Sequence, residues 1–206
     1  MSLFITFEGG EGSGKSVQAG ALLRKLRRLN IPAVLTHEPG GTPFGEKLAH
    51  WLKGADNDIS PLVELVLFNA SRNHSVTEVI KPGLDSGKVV ISDRYADSTI
   101  AYQGYGRGLG LEMVRTINSV ATQGLEPDLT ILLDIPAEDG LARKGNRQDR
   151  FEQEELAFHQ RVREGYLRMA ADEPKRWLVV DASQSKRKIA GVIWQRVGQL
   201  LSNQGG

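Results

Sequence analysis

A chain of 206 residues supports one substantial core and reads as a single domain over residues 1–206. Lys plus Arg number 26 against 25 Asp plus Glu, a net charge of +1, so neither a polyanion-coating surface nor a nucleic-acid partner is expected. There is no cysteine, which excludes disulfides, thiolate metal sites and cysteine nucleophiles.

The chain enters an apolar segment, Leu3–Phe7, with no basic stretch ahead of it, so no signal peptide is expected. Leu3–Phe7 reads as a strand, Lys15–Leu29 as a helix and Ala33–Thr36 as a second strand. Leu62–Ile80 reads as an amphipathic helix, its apolar run to Phe68 broken by Glu64. The strand Val89–Ser92, the helix Leu111–Gln123 and the strand Leu129–Asp134 follow. Leu156, Val162, Tyr166 and Met169 mark a further helix, Trp177–Val180 a fifth strand, and Ile189, Ile193, Val197 and Leu200 the last helix. Residues 202–206 read as a frayed tail. Four of the five strands are near-continuous Val, Ile or Leu, the composition of a sheet covered on both faces. Strands alternating with helices predict a parallel α/β sheet. No run reaches the roughly 18 apolar residues of a membrane span, and a cytosolic protein is expected.

Gly9-Gly10-Glu11-Gly12-Ser13-Gly14-Lys15-Ser16 fits G-x-x-x-x-G-K-[ST] between a strand and a helix, the context this phosphate loop requires. Glycines let successive backbone N–H groups turn inward on an anion, and the helix N-terminus adds partial positive charge. Lys15 then reaches the β- and γ-phosphates of a nucleoside triphosphate, and the Ser16 hydroxyl ligates Mg²⁺. The fold expected is a three-layer α/β/α P-loop architecture with a five-stranded parallel sheet.

Which chemistry the loop serves is decided elsewhere. Asn146-Arg147-Gln148-Asp149 lacks the Lys of the guanine-reading N-K-x-D segment and does not follow a strand. Arg143, Lys144, Arg147 and Arg150 crowd eight residues, and a helical segment would put the three arginines on one face. Beside a phosphate loop they read as a helical lid, about residues 140–152, that neutralises the transferring group and excludes water. Asp93-Arg94-Tyr95 ends the strand Val89–Ser92, where ligands of open α/β sheets bind; Asp93 is assigned to the Mg²⁺ shell through water, and Arg94 to an acceptor phosphate. A phosphate monoester with a second pKa of about 6 is already mostly dianionic near neutral pH, so no general base is required.

Phe4-Ile5-Thr6-Phe7-Glu8-Gly9, Glu38-Pro39-Gly40-Gly41-Thr42, Asp93-Arg94-Tyr95, Tyr102-Gln103-Gly104 and Asp181-Ala182-Ser183 together resemble the thymidylate kinase family over essentially the whole chain. The resemblance implies transfer from ATP to dTMP with Mg²⁺, a five-stranded sheet and a homodimer. It implies that Phe68 stacks on thymine, that Arg72 bonds its exocyclic oxygen, and that Ser98 and Thr99 meet the pyrimidine edge. Tyr102 would crowd the sugar 2′ position, with Gln103, Glu38 and Pro39 also at the acceptor. Glu11 would reach toward the acceptor's sugar or phosphate, and Ala182 and Gln184 would lie under adenine. Gly12 stands where one branch of the family carries an arginine, so the resemblance is to the branch whose catalytic arginines lie in the lid: Arg143, Arg147 and Arg150. Two other readings compete: another P-loop nucleotide or nucleoside kinase, and a nucleotide-dependent switch without a small acceptor.

Overall fold

The computed structural model of the protein describes residues 2–54, 59–144 and 149–203. Five parallel strands form one sheet in the order β2-β3-β1-β4-β5: β1 Leu3–Glu8, β2 Ala33–His37, β3 Val89–Asp93, β4 Leu129–Asp134 and β5 Trp177–Asp181. The central strand β1 is buried at every position. Side chains alternate across it. Leu3, Ile5 and Phe7 join a core built with α1 (Lys15–Arg28) and the last helix, whereas Phe4 packs on the opposite face with Val90 and Tyr95. Glu8 therefore points to the face away from α1, a carboxylate in a strand that is otherwise apolar but for Thr6.

Each predicted strand is present to within one residue. The helices differ more. A helix not foreseen, α2 (Pro43–Lys53), starts where Thr42 accepts the Gly45 N–H at 2.9 Å and Pro43 takes the first position. The predicted helix over 62–80 is α3 (Pro61–Ser75), a π-helical stretch Val76–Ile80 and a short α4 (Lys81–Asp85). A short α5 (Ala96–Thr99) runs into a second π-helical stretch, Ile100–Gly106, in which Arg107 N–H bonds the Tyr102 carbonyl at 2.8 Å. The remaining helices are α6 (Leu111–Thr122), α7 (Ala137–Ala142), α8 (Leu156–Asp172) and α9 (Lys186–Asn203).

The basic segment is not a continuous helix in its described part. Beyond Ala142 the Arg143 and Lys144 N–H groups bond the Gly140 and Leu141 carbonyls, three residues back, which tightens and ends α7. Arg150 lies in a separate turn, so Arg143 and Arg150 do not share one helix face. Arg147 lies outside the described residues. Among the described residues no helix is long and apolar enough to cross a membrane.

Candidate active site

The phosphate loop leaves the C-terminal end of β1 and opens α1. Gly9 has φ 143°, and a Cβ there would stand 2.6 Å from the Leu133 carbonyl. Gly12 has φ 65°, and its Cβ would stand 1.9 Å from the carbonyl of Gly140 in α7; no side chain fits. Lys15 donates to the Gly9 and Gly10 carbonyls at 3.0 and 2.8 Å. Burial pulls its ammonium down to about 8, with Arg94 adding to the shift while Glu11, Asp93 and Glu8 oppose it. The Ser16 hydroxyl donates directly to Asp93 Oδ2. A hydroxyl and a carboxylate side by side at the loop suit Mg²⁺, which prefers oxygen donors and keeps several waters.

Arg94 is the centre of the arrangement. Its backbone is left-handed, φ 72°, a conformation that costs a non-glycine residue about 1 kcal/mol or more and persists only when neighbours enforce it. Three contacts do so here. Arg94 N–H bonds the Phe7 carbonyl at 2.9 Å, the Ser92 hydroxyl bonds the Arg94 carbonyl at 2.7 Å, and Tyr95 N–H bonds Glu8 Oε1 at 2.8 Å. The guanidinium then donates to Glu11 at 2.6 Å, the Tyr102 hydroxyl at 3.1 Å, and Gly9 O and Ser98 Oγ at 3.3 Å. Burial alone would raise the Glu11 pKa, but the charges of Arg94 and Lys15 outweigh it and hold the carboxyl well below its ordinary range. Glu11 also accepts from the Tyr102 hydroxyl at 2.6 Å and lies 3.5 Å from the Lys144 ammonium.

Beneath Arg94, Glu8 accepts from the Ser98 hydroxyl at 2.5 Å and the Tyr166 hydroxyl at 2.9 Å. Burial, reinforced by the negative charge of Asp97, pushes its carboxyl up to about 7 despite Ser98, Arg94 and Tyr166. Between its unfolded value near 4.5 and about 7, the folded state holds a proton that the unfolded state has lost. The stability contributed by this group therefore declines as pH rises through that window, by on the order of 3 kcal/mol in all. Glu8→Gln keeps an acceptor for Tyr95 N–H and removes the titration. Its stability relative to the parent is expected to rise between pH 5 and pH 7.5 in urea unfolding; a difference flat across that range would remove Glu8 as the titrating group.

A cleft of about 580 Å³ runs from the phosphate loop to α3. Glu11, Gly12, Gly14, Lys15, Ser16, Asp93 and Arg143 line its phosphate-loop side. Glu38, Pro39, Phe68, Ser98, Thr99, Tyr102 and Gln103 line the other, with Arg94 between. Several residues singled out in the sequence stand back from it. Arg72 is 1% exposed and donates to Glu38 (2.8 Å), Asn118 (2.8 Å), Asn69 (3.3 Å) and the Tyr95 carbonyl (3.0 Å). Gly9, Gly10 and Ser13 turn their oxygens to the Lys15 ammonium, at 3.0, 2.8 and 3.3 Å. Ala182 and Gln184 follow β5, and the Ala182 carbonyl accepts from Arg143 at 3.1 Å. Arg150 bonds Glu64 of α3. Ser98 turns its hydroxyl to Glu8, whereas Thr99 Oγ1 is buried without a partner among the described residues.

Sequence reasoning missed Glu8, Glu64, Phe151 and Tyr166. The signal for the first two was available, since each is a carboxylate interrupting an apolar element. Phe151 and Tyr166 carried none: the ring of Phe151 lies 5.7 Å from Phe68 and 6.0 Å from Tyr102 only through tertiary packing.

A glycine cradle at the tip of a central parallel strand, a buried lysine, a hydroxyl–carboxylate pair and an arginine facing a second, aromatic-walled compartment define a P-loop phosphotransferase. The family model for thymidylate kinase matches residues 7–193. The chain is 57% identical over 203 residues to a thymidylate kinase of Dehalococcoides mccartyi, covering 98% of each. It is 46% identical over 209 residues to one of Trichlorobacter lovleyi, covering 97% of this chain and 99% of that one. The crystal structure of thymidylate kinase from Ehrlichia chaffeensis superimposes with a TM-score of 0.74 at 36% identity, over 87% of this chain and 92% of that chain. This chain belongs to the thymidylate kinase family.

Proposed function

We propose that the protein transfers the γ-phosphoryl group of ATP to dTMP, giving ADP and dTDP, with Mg²⁺ as cofactor. The observation that carries this reading is Arg94, fixed in a strained backbone at the junction of the phosphate loop and the Phe68–Tyr102 compartment. Reaction there needs a dianionic acceptor phosphate brought in line with the γ-phosphate, and charge rather than a base to meet it. Lys15 and the loop N–H groups hold the donor phosphates, and Ser16 with Asp93, through water, would hold Mg²⁺, which neutralises charge between the β- and γ-phosphates when bound. Arg94 receives the acceptor phosphate; Arg143, Lys144 and Arg147 supply cations toward the transferring group. Phe68 offers a ring to the base, with Thr99 and Gln103 at its polar edge, and Ala182 and Gln184 border the adenine.

Tyr102 acts as the sugar gate. Its hydroxyl is pinned by Glu11 and Arg94, and its ring is wedged against Phe151, Phe158 and Tyr166, so an added 2′-hydroxyl has no room made by a simple rotation. Exposed apolar side chains on α3 (Val63, Val66) and α6 (Val120) support a homodimer, and the setting is cytosolic.

ADP release with ATP and Mg²⁺ should be stimulated most by dTMP, less by dUMP and little by UMP, CMP, AMP or GMP. A tenfold preference for another monophosphate would remove the thymine assignment, and no stimulation by any would leave a nucleotide switch.

A further inference from the structure

We propose that Glu64 is a positioning residue that fixes Gln103 and the Arg150–Phe151 turn as one wall of the acceptor compartment, a role that rests on the kinase reading above. Glu64, Phe68 and Arg72 stand four residues apart along α3 and so share one helix face. Glu64 is wholly buried. One of its oxygens accepts from Gln103 Nε2 at 2.6 Å and Arg107 Nε at 3.3 Å. The other accepts from Arg107 Nη2 at 3.2 Å and Arg150 Nη2 at 2.5 Å. These four bonds use the acceptor capacity of the carboxylate.

Each partner leads to the cleft. Gln103 lines it directly, on the π-helical stretch that also carries Tyr102. Arg150 is fastened further to the Leu52 carbonyl at 3.2 Å and, through its own N–H, to the Lys53 carbonyl at 3.3 Å. Its guanidinium lies 4.8 Å from the Phe151 ring centre, and Phe151 lines the cleft against Phe68 and Tyr102. Glu64 thus ties together three segments, α3, the π-helical stretch and the 149–151 turn, that each place an aromatic or amide on the acceptor. Stability alone does not call for this design, because buried ion pairs are commonly matched by apolar residues of equal volume. The same bonds place the Arg150 charge on Glu64, away from the transferring phosphoryl group, which assigns it to acceptor recognition instead of to the transition state.

The test compares Glu64→Gln, Arg150→Met and the double variant in the full chain. Each single variant should raise the KM for dTMP by about tenfold, leave the KM for ATP unchanged and lower kcat by less than KM rises. The double variant should be no worse than the more impaired single one, because both changes break one linkage. Trypsin cleavage of the Arg150–Phe151 bond in the ligand-free protein, followed by mass spectrometry, should be at least several-fold faster in Glu64→Gln. Should Glu64→Gln fold poorly, Arg150→Met carries the kinetic test, since Arg150 sits at the partly exposed end of the cluster. An unchanged KM for dTMP, additive effects, or a fall in kcat that exceeds the rise in KM would overturn the proposal. If the parent were not stimulated by dTMP the kinase reading would fall, and the cleavage rate would still decide whether Glu64 holds the turn.

Discussion

Arg94→Ala should lower kcat by about 10³-fold at saturating ATP and dTMP, the lower end of what a transition-state arginine contributes. The residue is prepared for this in two ways. Its left-handed backbone is enforced by Phe7, Ser92 and, through Tyr95, Glu8, so the guanidinium spends no reorganisation when charge develops. Burial would weaken the charge, but Tyr102 and Glu11 outweigh that and hold its pKa well above the ordinary arginine value. Truncation also takes from the buried Glu11 carboxylate its strongest compensating charge, leaving it Lys15, Tyr102 and Lys144. Arg94→Lys should recover little, because a single ammonium cannot reach Glu11, Tyr102 and a phosphate in the geometry of the fork. Turnover measured in a coupled assay decides it, and a loss under tenfold would take Arg94 out of the transfer step.

Arg72→Met should cost about 3–5 kcal/mol of stability at pH 8, the usual effect of stripping a buried ion of its partner. Arg72 is 1% exposed and Glu38 3%, and three of the four hydrogen-bond partners of Arg72 are neutral acceptors, the Asn69 and Asn118 side-chain carbonyls and the Tyr95 carbonyl. Burial raises the Glu38 pKa even with Arg72 beside it to pull it down. Without the cation it rises further. A carboxyl whose folded pKa is raised loses stability as pH climbs from its unfolded value to its folded one, so the cost should shrink as pH is lowered. Urea unfolding at pH 5.5 and pH 8 should show this, with Arg72→Met/Glu38→Gln more stable than Arg72→Met at pH 8. A pH-independent loss, or no rescue, would mean that the cavity and not the orphaned charge is responsible.

How far the sequence carried these conclusions depended on the range of the signal. The strands were legible because consecutive Val, Ile and Leu leave little alternative in a sheet buried on both faces. The phosphate loop was legible because its residues are contiguous and their types are set by backbone conformation, as Gly9 and Gly12 show. Helix α2 could have been read from Thr42-Pro43, a start signal that the neighbouring glycines obscured. The π-helical stretch over Tyr102 and Gln103 has no comparable local mark; it is set by packing against α8, where Phe158, Val162 and Tyr166 meet it. Spacing placed Phe68 and Arg72 on one face, yet only tertiary structure shows the first in the cleft wall and the second behind it. Arg143 and Arg150 were grouped by proximity in the chain, whereas the fold sends one toward the Ala182 carbonyl and the other to Glu64.

The contact between Gly12 and Gly140 constrains which substitutions are open to this enzyme. A side chain at Gly12 would strike the Gly140 carbonyl, and one at Gly140 would stand 2.3 Å from the Glu11 carbonyl. A phosphate loop with an arginine at position 12 and one whose cations stand beyond α7 are therefore separated by more than an exchange of residues. Moving the cation into the loop requires α7 to be displaced first, and displacing α7 carries Arg143 and Lys144 away before any replacement is in place. Substitution at position 12 alone is therefore closed to this chain unless α7 moves with it.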